Sequence, residues 1–116
     1  MNPGIELDAD IARKIFKLVV MVDSETGKST MRDLKSKKWV SIPTFSSNTD
    51  VAYSLIDHFS RKGFFATINS AFNDSYTEWQ VIFHSSDKNP VVGATGKSAA
   101  HAICLAALGL NDLLNK

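Results

Sequence analysis

The sequence has little that would fix its structure covalently or attract a charged partner. Cys104 is its single cysteine, so no disulfide can form within the chain, and a reducing cytoplasm is the compartment we expect. The formal net charge is only +1, so the whole molecule has no field that would gather nucleic acid or an anionic membrane. No stretch approaches the run of about 18 apolar residues that a membrane span requires, and the first residues lack the pattern of a signal peptide. We therefore expect a protein that is neither exported nor inserted into a membrane.

What the sequence does contain is the composition of a globular domain. Of its 116 residues, 44% are hydrophobic and 22% are charged, and Gly and Pro are too scattered to mark a linker. A chain of this length buries roughly two thirds of its unfolded surface, which is enough for one core without a metal or a disulfide. The sequence therefore predicts a single α+β domain over residues 1–116.

The predicted order of elements is α-β-(β)-α-β-β-β-α. Apolar spacing predicts a first helix from Asp8, as its N-cap, to Leu18, and the helix dipole accounts for the carboxylates at its start. A second helix begins at the capping-box pattern of residues 47–50 and ends at Gly63, where a left-handed residue is wanted. A third runs from Ser98 to Leu114, with Thr95 or Ser98 as its cap.

Three strand signals follow the second helix, at residues 64–72, 77–85 and 91–93. In the second of these, Trp79, Val81 and Phe83 alternate with polar residues, which predicts that the odd-numbered face is buried. The fold we expect is an antiparallel sheet of three to four strands with helices packed on it. Its α-β-β-β-α part has the order of a double-stranded-RNA-binding domain.

The segment Gly93–Ser98, with the sequence GATGKS, is similar to the end of a phosphate-binding loop. That loop needs G-x-x-x-x-G-K-[ST], and the first glycine of the pattern falls on Val91. No later strand follows that could supply a metal-binding aspartate. We interpret the segment as a flexible turn into a capped helix, where free backbone N–H groups, Lys97 and Ser98 could still contact an anion.

A basic loop provides an alternative function, the binding of nucleic acid. Arg32, Lys35, Lys37 and Lys38 lie beside Trp39, and such cations contact phosphates while an aromatic ring stacks on bases. The double-stranded-RNA-binding domain instead grips phosphates with a Ser-Lys-Lys-x-Ala-Lys start to its last helix, and here those lysines are absent. The loop is therefore an alternative and not the preferred function.

No group of residues predicts catalysis or a cofactor. Cys104 lies on the apolar stripe of the last helix, so we expect a small core residue and not a nucleophile. His58, His84 and His101 lack the spacing of metal ligands. The expectation is a protein without enzyme activity, metal or cofactor.

Three parts of the chain together resemble one known family. They are residues 5–8 at the opening of the first helix, Pro43 with residues 45–50, and the alanine-rich residues 102–108. They resemble the phage ABA sandwich domain family, small phage and prophage proteins described by their architecture alone. The resemblance covers nearly the whole chain and implies helices on both faces of a sheet, and the family has no assigned catalytic residues. The polar even-numbered face of residues 77–85 would suit solvent, or a layer supplied by another subunit.

These observations predict a non-enzymatic phage or prophage accessory protein in the cytoplasm of the bacterial host. It would bind a protein partner or itself, with exposed aromatic residues such as Trp39, Phe45 and Tyr76 as contacts. Binding of nucleic acid through residues 32–39 is the alternative.

Overall fold

The α+β class predicted from the sequence is confirmed by a computed structural model, which describes residues 2–22, 25, 26, 29–33, 35–73 and 76–115, without the side chains of residues 22, 73 and 76. The strands form two three-stranded antiparallel sheets instead of one sheet of three to four strands. The elements in chain order are α1 (Ile5–Asp10), a π-helical segment (Ile11–Ile15), β1 (Val20–Val22), β2 (Ser29–Arg32), β3 (Trp39–Ser41), α2 (Thr49–Ser60), β4 (Phe64–Asn73), β5 (Tyr76–Ser85), β6 (Pro90–Gly96) and α3 (Ala99–Leu114).

The larger sheet has the order β4-β5-β6, and its inner face carries the core. Val81 and Phe83 of β5 are fully buried, which confirms the prediction for the odd-numbered face. Helix α3 lies across β5 and β6, and α2 lies beside α3 and next to β4. The ring of Phe59 in α2 meets that of Phe83 edge-on, with 5.5 Å between centroids. The segment from α2 to α3 therefore has the predicted α-β-β-β-α order.

The outer face of this sheet is open in the described part of the chain. Phe65 on β4 is 45% exposed, and Gln80 and Thr95 on the neighbouring strands are exposed as well. The described helices contact the inner face, so the polar even-numbered positions of β5 face solvent, as their composition suggested.

The smaller sheet has the order β1-β2-β3 and is built from strands of three or four residues. Val20, Met31 and Val40 are directly opposite one another across its three strands. Because paired residues share a face, these three lie on one side of the sheet, and their neighbours in sequence lie on the other.

The first helix begins earlier than predicted, and the predicted role of Asp8 is wrong. The helix begins at Ile5, and Asp8 is buried within it, at 6% exposure. One carboxylate oxygen of Asp8 accepts a hydrogen bond from the backbone N–H of Ser46 at 2.7 Å, and Ser46 Oγ accepts one from the N–H of Gly4 at 2.8 Å. The carboxylate thus supplies an acceptor to a buried backbone donor, instead of capping its own helix. The helical run also ends before Leu18, because Lys17 adopts a positive φ of 55°.

The second helix is confirmed, but its cap lies one residue after the predicted one. The N-cap is Asn48, whose side-chain oxygen accepts a hydrogen bond from the N–H of Val51 at 3.3 Å. Asparagine is among the residues most favoured at the N-cap. The helix therefore begins after Asn48, the second residue of the predicted capping box, and not after Ser47. Gly63 follows the helix with a φ of 91°, as the sequence predicted.

Candidate functional site

The phosphate-loop-like segment does not form the flexible turn expected from its glycines. Gly93 and Gly96 belong to β6 and lie opposite Ile82 and Trp79 of β5, so the predicted strand at residues 91–93 continues to Gly96 and the turn prediction is wrong for residues 94–96. A Cβ atom placed on Gly96 would lie 2.7 Å from the backbone nitrogen of Ala102. The second glycine therefore permits close packing of α3 on β6, which explains its presence without a phosphate.

The remaining two residues of this segment form the entry to α3. Of the two predicted caps, Thr95 and Ser98, the structure has Ser98, and its Oγ accepts a hydrogen bond from the N–H of His101 at 3.1 Å. The N–H of Lys97 donates to Nδ1 of His101 at 3.0 Å, and its Nζ donates to Oδ1 of Asn2 at 3.4 Å. The amide of Lys97 is therefore not free for an anion, contrary to the expectation. Contact of the side chains of Lys97 and Ser98 with an anion stays a prediction.

The basic loop is the turn of the β2–β3 hairpin, and Asp33 organises it. The carboxylate of Asp33 accepts hydrogen bonds from the N–H of Lys35 at 3.2 Å and from Ser36 Oγ at 2.9 Å. The backbone of Asp33 also exchanges hydrogen bonds with Lys37 and Lys38, at 2.8 and 2.9 Å. The hydrogen bonds from Lys35 and Ser36 hold the pKa of Asp33 below its usual value. The carboxylate is thus engaged inside the loop, while all three lysines are exposed.

Arg32 and Trp39 lie opposite each other at the base of this loop. The N–H of Arg32 donates to the carbonyl of Val19 at 3.0 Å, so the three residues form a row on one face of the smaller sheet. Val19 is 62% exposed and Trp39 is 44% exposed. Val19, the third member of this row, was not among the site residues predicted from the sequence. The pairing of β1 with β2 brings Val19 beside Arg32, and no local motif signals that pairing.

An apolar groove lies between the π-helical segment, β2 and the start of α2. Its volume is about 310 Å³. Phe16 and Phe45 stack at its base, with 5.7 Å between ring centroids. Ser54 is the polar member of its described lining, and its Oγ donates to the carbonyl of Val51 at 2.6 Å. The lining consists of Ala12, Phe16, Leu18, Met31, Pro43, Phe45, Val51 and Ser54.

The structure bears on two of the three aromatic residues that were predicted to be exposed contacts. Phe45 is only 5% exposed, so its predicted role as an exposed aromatic contact is wrong. It packs on Phe16, which lies far from it in the chain, and periodicity within one element gives no signal for such a contact. Trp39 is exposed, as predicted, and the side chain of Tyr76 lies outside the described residues.

Cys104 is a core residue, as the sequence predicted. Its side chain is fully buried. Burial, and then the negative charge of Asp8, raise the pKa of its thiol to about 12. Because the thiolate is the reactive form of cysteine, both the burial of this thiol and its raised pKa disfavour its reaction at neutral pH.

The histidines have separate structural environments. His101 accepts from Lys97 at the entry to α3, and Nε2 of His84 lies 2.7 Å from Oγ1 of Thr67 on the open face of the larger sheet. His58 contacts the rings of Phe16 and Phe59 edge-on, and burial lowers its pKa. In the described residues, no three His, Cys, Asp or Glu side chains are placed to hold a metal ion together.

The described helices were also compared with the requirements of a membrane span. None of them combines the length and the apolar character needed to cross a bilayer.

Comparison with known proteins identifies the family of this chain. No curated protein and no solved structure matches the sequence significantly. The sequence model of the phage ABA sandwich domain matches residues 9–108, a range that extends from α1 into α3 and includes both sheets. The chain therefore belongs to the phage ABA sandwich domain family.

Proposed function

We propose that this protein is a non-enzymatic phage or prophage accessory protein, acting in the cytoplasm of the bacterial host, which binds a protein partner through its apolar groove. The observation that carries the proposal is the chemistry of the groove, whose described lining is apolar except for Ser54. Small-molecule sites usually add a few placed polar groups that fix the orientation of the ligand. The hydroxyl of Ser54 is already engaged with the backbone of its own helix.

An apolar side chain of a protein segment fits such a groove better than a polar metabolite. Hydrophobic contact is not directional, so it needs no orienting donors or acceptors. Complete burial of one Leu, Met or Phe side chain contributes about 1.5–3 kcal/mol, enough to anchor a larger interface. The stacked pair Phe16 and Phe45 gives the groove an aromatic base.

Capture of partners from phage-infected or lysogenic cells tests this proposal. Ser54→Glu places a charge in the groove at an exposed helical position, so it blocks the groove without removing core packing. Tyr53→Glu is the matched control, because Tyr53 is the next residue of α2, is 48% exposed and does not line the groove. We expect Ser54→Glu to reduce capture of a specific protein at least about tenfold, a change of roughly 1.4 kcal/mol in binding free energy.

The result against the proposal is equally specific. If every protein captured by the wild type is retained by Ser54→Glu, or is lost equally with Tyr53→Glu, the groove is not the binding surface. Equal urea midpoints for the two variants exclude unfolding as the cause of a difference.

Nucleic-acid binding is the second candidate, and the β2–β3 hairpin favours it. Asp33 accepts hydrogen bonds from Lys35 and Ser36 of the described part of the loop, and exposed lysines lie beside Arg32 and Trp39. If all four predicted cations contact phosphates of a single strand, the slope of log K against log salt should be about −3. The test is a titration of fluorescent single-stranded RNA and DNA at several salt concentrations. Absence of binding at low salt would remove this candidate, and a change of Trp39 to Ala should weaken binding if the ring stacks on bases.

A further inference from the structure

The two edge strands of the larger sheet differ in their protection against pairing with another strand. The edge strand β6 begins at Pro90, contains two glycines and has an irregularity in its pairing at Phe83 and His84. Proline and bulges are common means by which proteins prevent pairing at an exposed edge. The other edge strand, β4, has none of these features.

Strand β4 is long, regular and uncharged. It has ten residues, FFATINSAFN, without a charged residue, a proline or a glycine. Its pairing with β5 runs from Phe64 to Asn73 without a register shift. Among the described residues, β4 pairs with β5 alone, so its other edge presents a row of backbone donors and acceptors. Such an edge is a template for another strand.

The end of β4 that is next to β5's first residues is also exposed to solvent. Phe72 is 76% exposed, the highest exposure of any large hydrophobic residue in the described part of the chain. It lies opposite Thr77, beyond Trp79, where pairing of β5 with β6 ends. The hairpin of β4 and β5 thus extends past the third strand, and Phe72 is at this extension.

We propose that β4 pairs antiparallel with β4 of a second copy of this chain, with the twofold axis at Ile68. An axis perpendicular to the sheet keeps both helical layers on the same side. The even-numbered residues of β4 face the helices, so even positions must pair with even positions, and the axis passes through a residue. The result is a continuous six-stranded sheet.

Among the registers that pair most of β4, the one centred on Ile68 places Phe72 opposite another aromatic ring. It aligns residues 64–72 of the two copies and places Phe72 opposite Phe64 of the second copy. It also places Thr67 opposite Asn69 of the second copy on the outer face. A register centred on Asn69 would place Phe72 opposite Ala66 and lose the aromatic pair. Aromatic pairs across strands stabilise a sheet, and no charge on β4 opposes the approach of an identical strand.

The partner is therefore a second copy and not an unrelated strand, because β4 is complementary to itself. It carries phenylalanines at both ends and neutral residues between them, and antiparallel pairing brings opposite ends together. The surface is distinct from the groove of the proposed function, so the two can be tested separately.

Sedimentation velocity of the full chain, from about 1 to 200 μM, tests the proposal. We expect a reversible dimer with a dissociation constant in the micromolar range, which is typical of small interfaces. Asn69→Lys should raise this constant at least about tenfold, because the two lysines would be diagonal neighbours across the axis, about 7–8 Å apart. Gln80→Lys is the matched control, because Gln80 is exposed and paired with Asn69 on the same face, but one strand away from the edge.

A second variant tests the register itself. Adding Thr67→Glu to Asn69→Lys places opposite charges directly across the two strands, so dimerisation should recover. A merely misfolded Asn69→Lys chain would not recover in this way.

Each remaining outcome overturns the proposal. A monomer throughout the concentration range excludes the interface, and a dimer that Asn69→Lys leaves intact uses another surface. Equal weakening by Gln80→Lys shows a general charge effect, and failure of the double variant to recover excludes the register at Ile68. Ser54→Glu should leave the dimer unchanged, so a loss with that variant would assign self-association to the groove.

Discussion

Replacing each glycine of β6 by alanine tests whether this strand is shaped by packing on α3. A Cβ at Gly96 would lie 2.7 Å from the nitrogen and 3.0 Å from the Cα of Ala102, and 3.0 Å from Nδ1 of His101. Two of these atoms are helix backbone, so the helix itself must shift. A Cβ at Gly93 would meet Cγ1 of Ile82 at 3.4 Å, an ordinary contact.

The two substitutions should therefore have different effects on the free energy of unfolding. Overpacking costs about 1–3 kcal/mol, and the displaced helix would also strain the bond from Lys97 to His101. We expect Gly96→Ala to lower the free energy of unfolding by about 2 kcal/mol. Gly93→Ala should leave it unchanged or raise it by about 0.4–1 kcal/mol, because alanine reduces the entropy of the unfolded chain.

Urea unfolding followed by tryptophan fluorescence measures this difference. For a slope of about 2 kcal/mol/M, the midpoint of Gly96→Ala should fall by about 1 M, and that of Gly93→Ala should not fall. Trp79 lies opposite Gly96 and reports directly on this part of the sheet. Equal midpoints for the two variants, or a larger loss at Gly93, would refute the packing of α3 on β6 described above.

Three further substitutions or reactions test the buried polar groups and the thiol. Asp8→Ala removes the acceptor of the buried Ser46 N–H and should lower the free energy of unfolding by about 1–3 kcal/mol in the same assay; an unchanged midpoint would contradict the role of this carboxylate. Burial, and then the charges of Lys62 and Arg61, lower the pKa of His58 in the folded protein. The unfolded chain therefore binds the proton more readily, and the free energy of unfolding falls as the pH falls below about 6.5. His58→Phe should flatten the plot of unfolding free energy against pH between about pH 7 and 5. An unaltered slope would show that other groups cause the pH dependence. Cys104 should react with a thiol reagent only as fast as the chain opens, and rapid labelling of the native protein would contradict its burial.

The sequence predicted those elements whose signals are local. Helix α2 has a polar cap, an apolar face and Gly63 at its end, and α3 has Ser98 as its cap. The strong alternation in β5 predicted its buried face. In each case the residues that specify the element lie within it or at its ends, so one window of sequence contains the signal.

Features that depend on distant contacts were not predictable in this way. The bond between Asp8 and Ser46 joins residues separated by 38 positions. Gly96 resembled a turn residue because its reason for being glycine is the helix that packs against it. Phe45 looked like an exposed aromatic in a loop, yet it forms the base of the groove with Phe16. The division into two sheets likewise depends on which strands pair, and composition does not specify pairing.

The two proposed surfaces have a joint consequence that follows from symmetry. A twofold axis perpendicular to the larger sheet places both helical layers on the same side, and the groove is formed in part by the helical residues Ala12 and Val51. A dimer paired through β4 would therefore place two grooves in the helical layers on one side of the continuous sheet. A partner that carries two copies of the bound segment would gain avidity by contacting both, with no new contact at either groove. Asn69→Lys should then remove that gain and keep the affinity for a single segment, whereas Ser54→Glu should weaken both. If Asn69→Lys weakens binding of the single segment as well, the groove and the β4 edge are not independent surfaces.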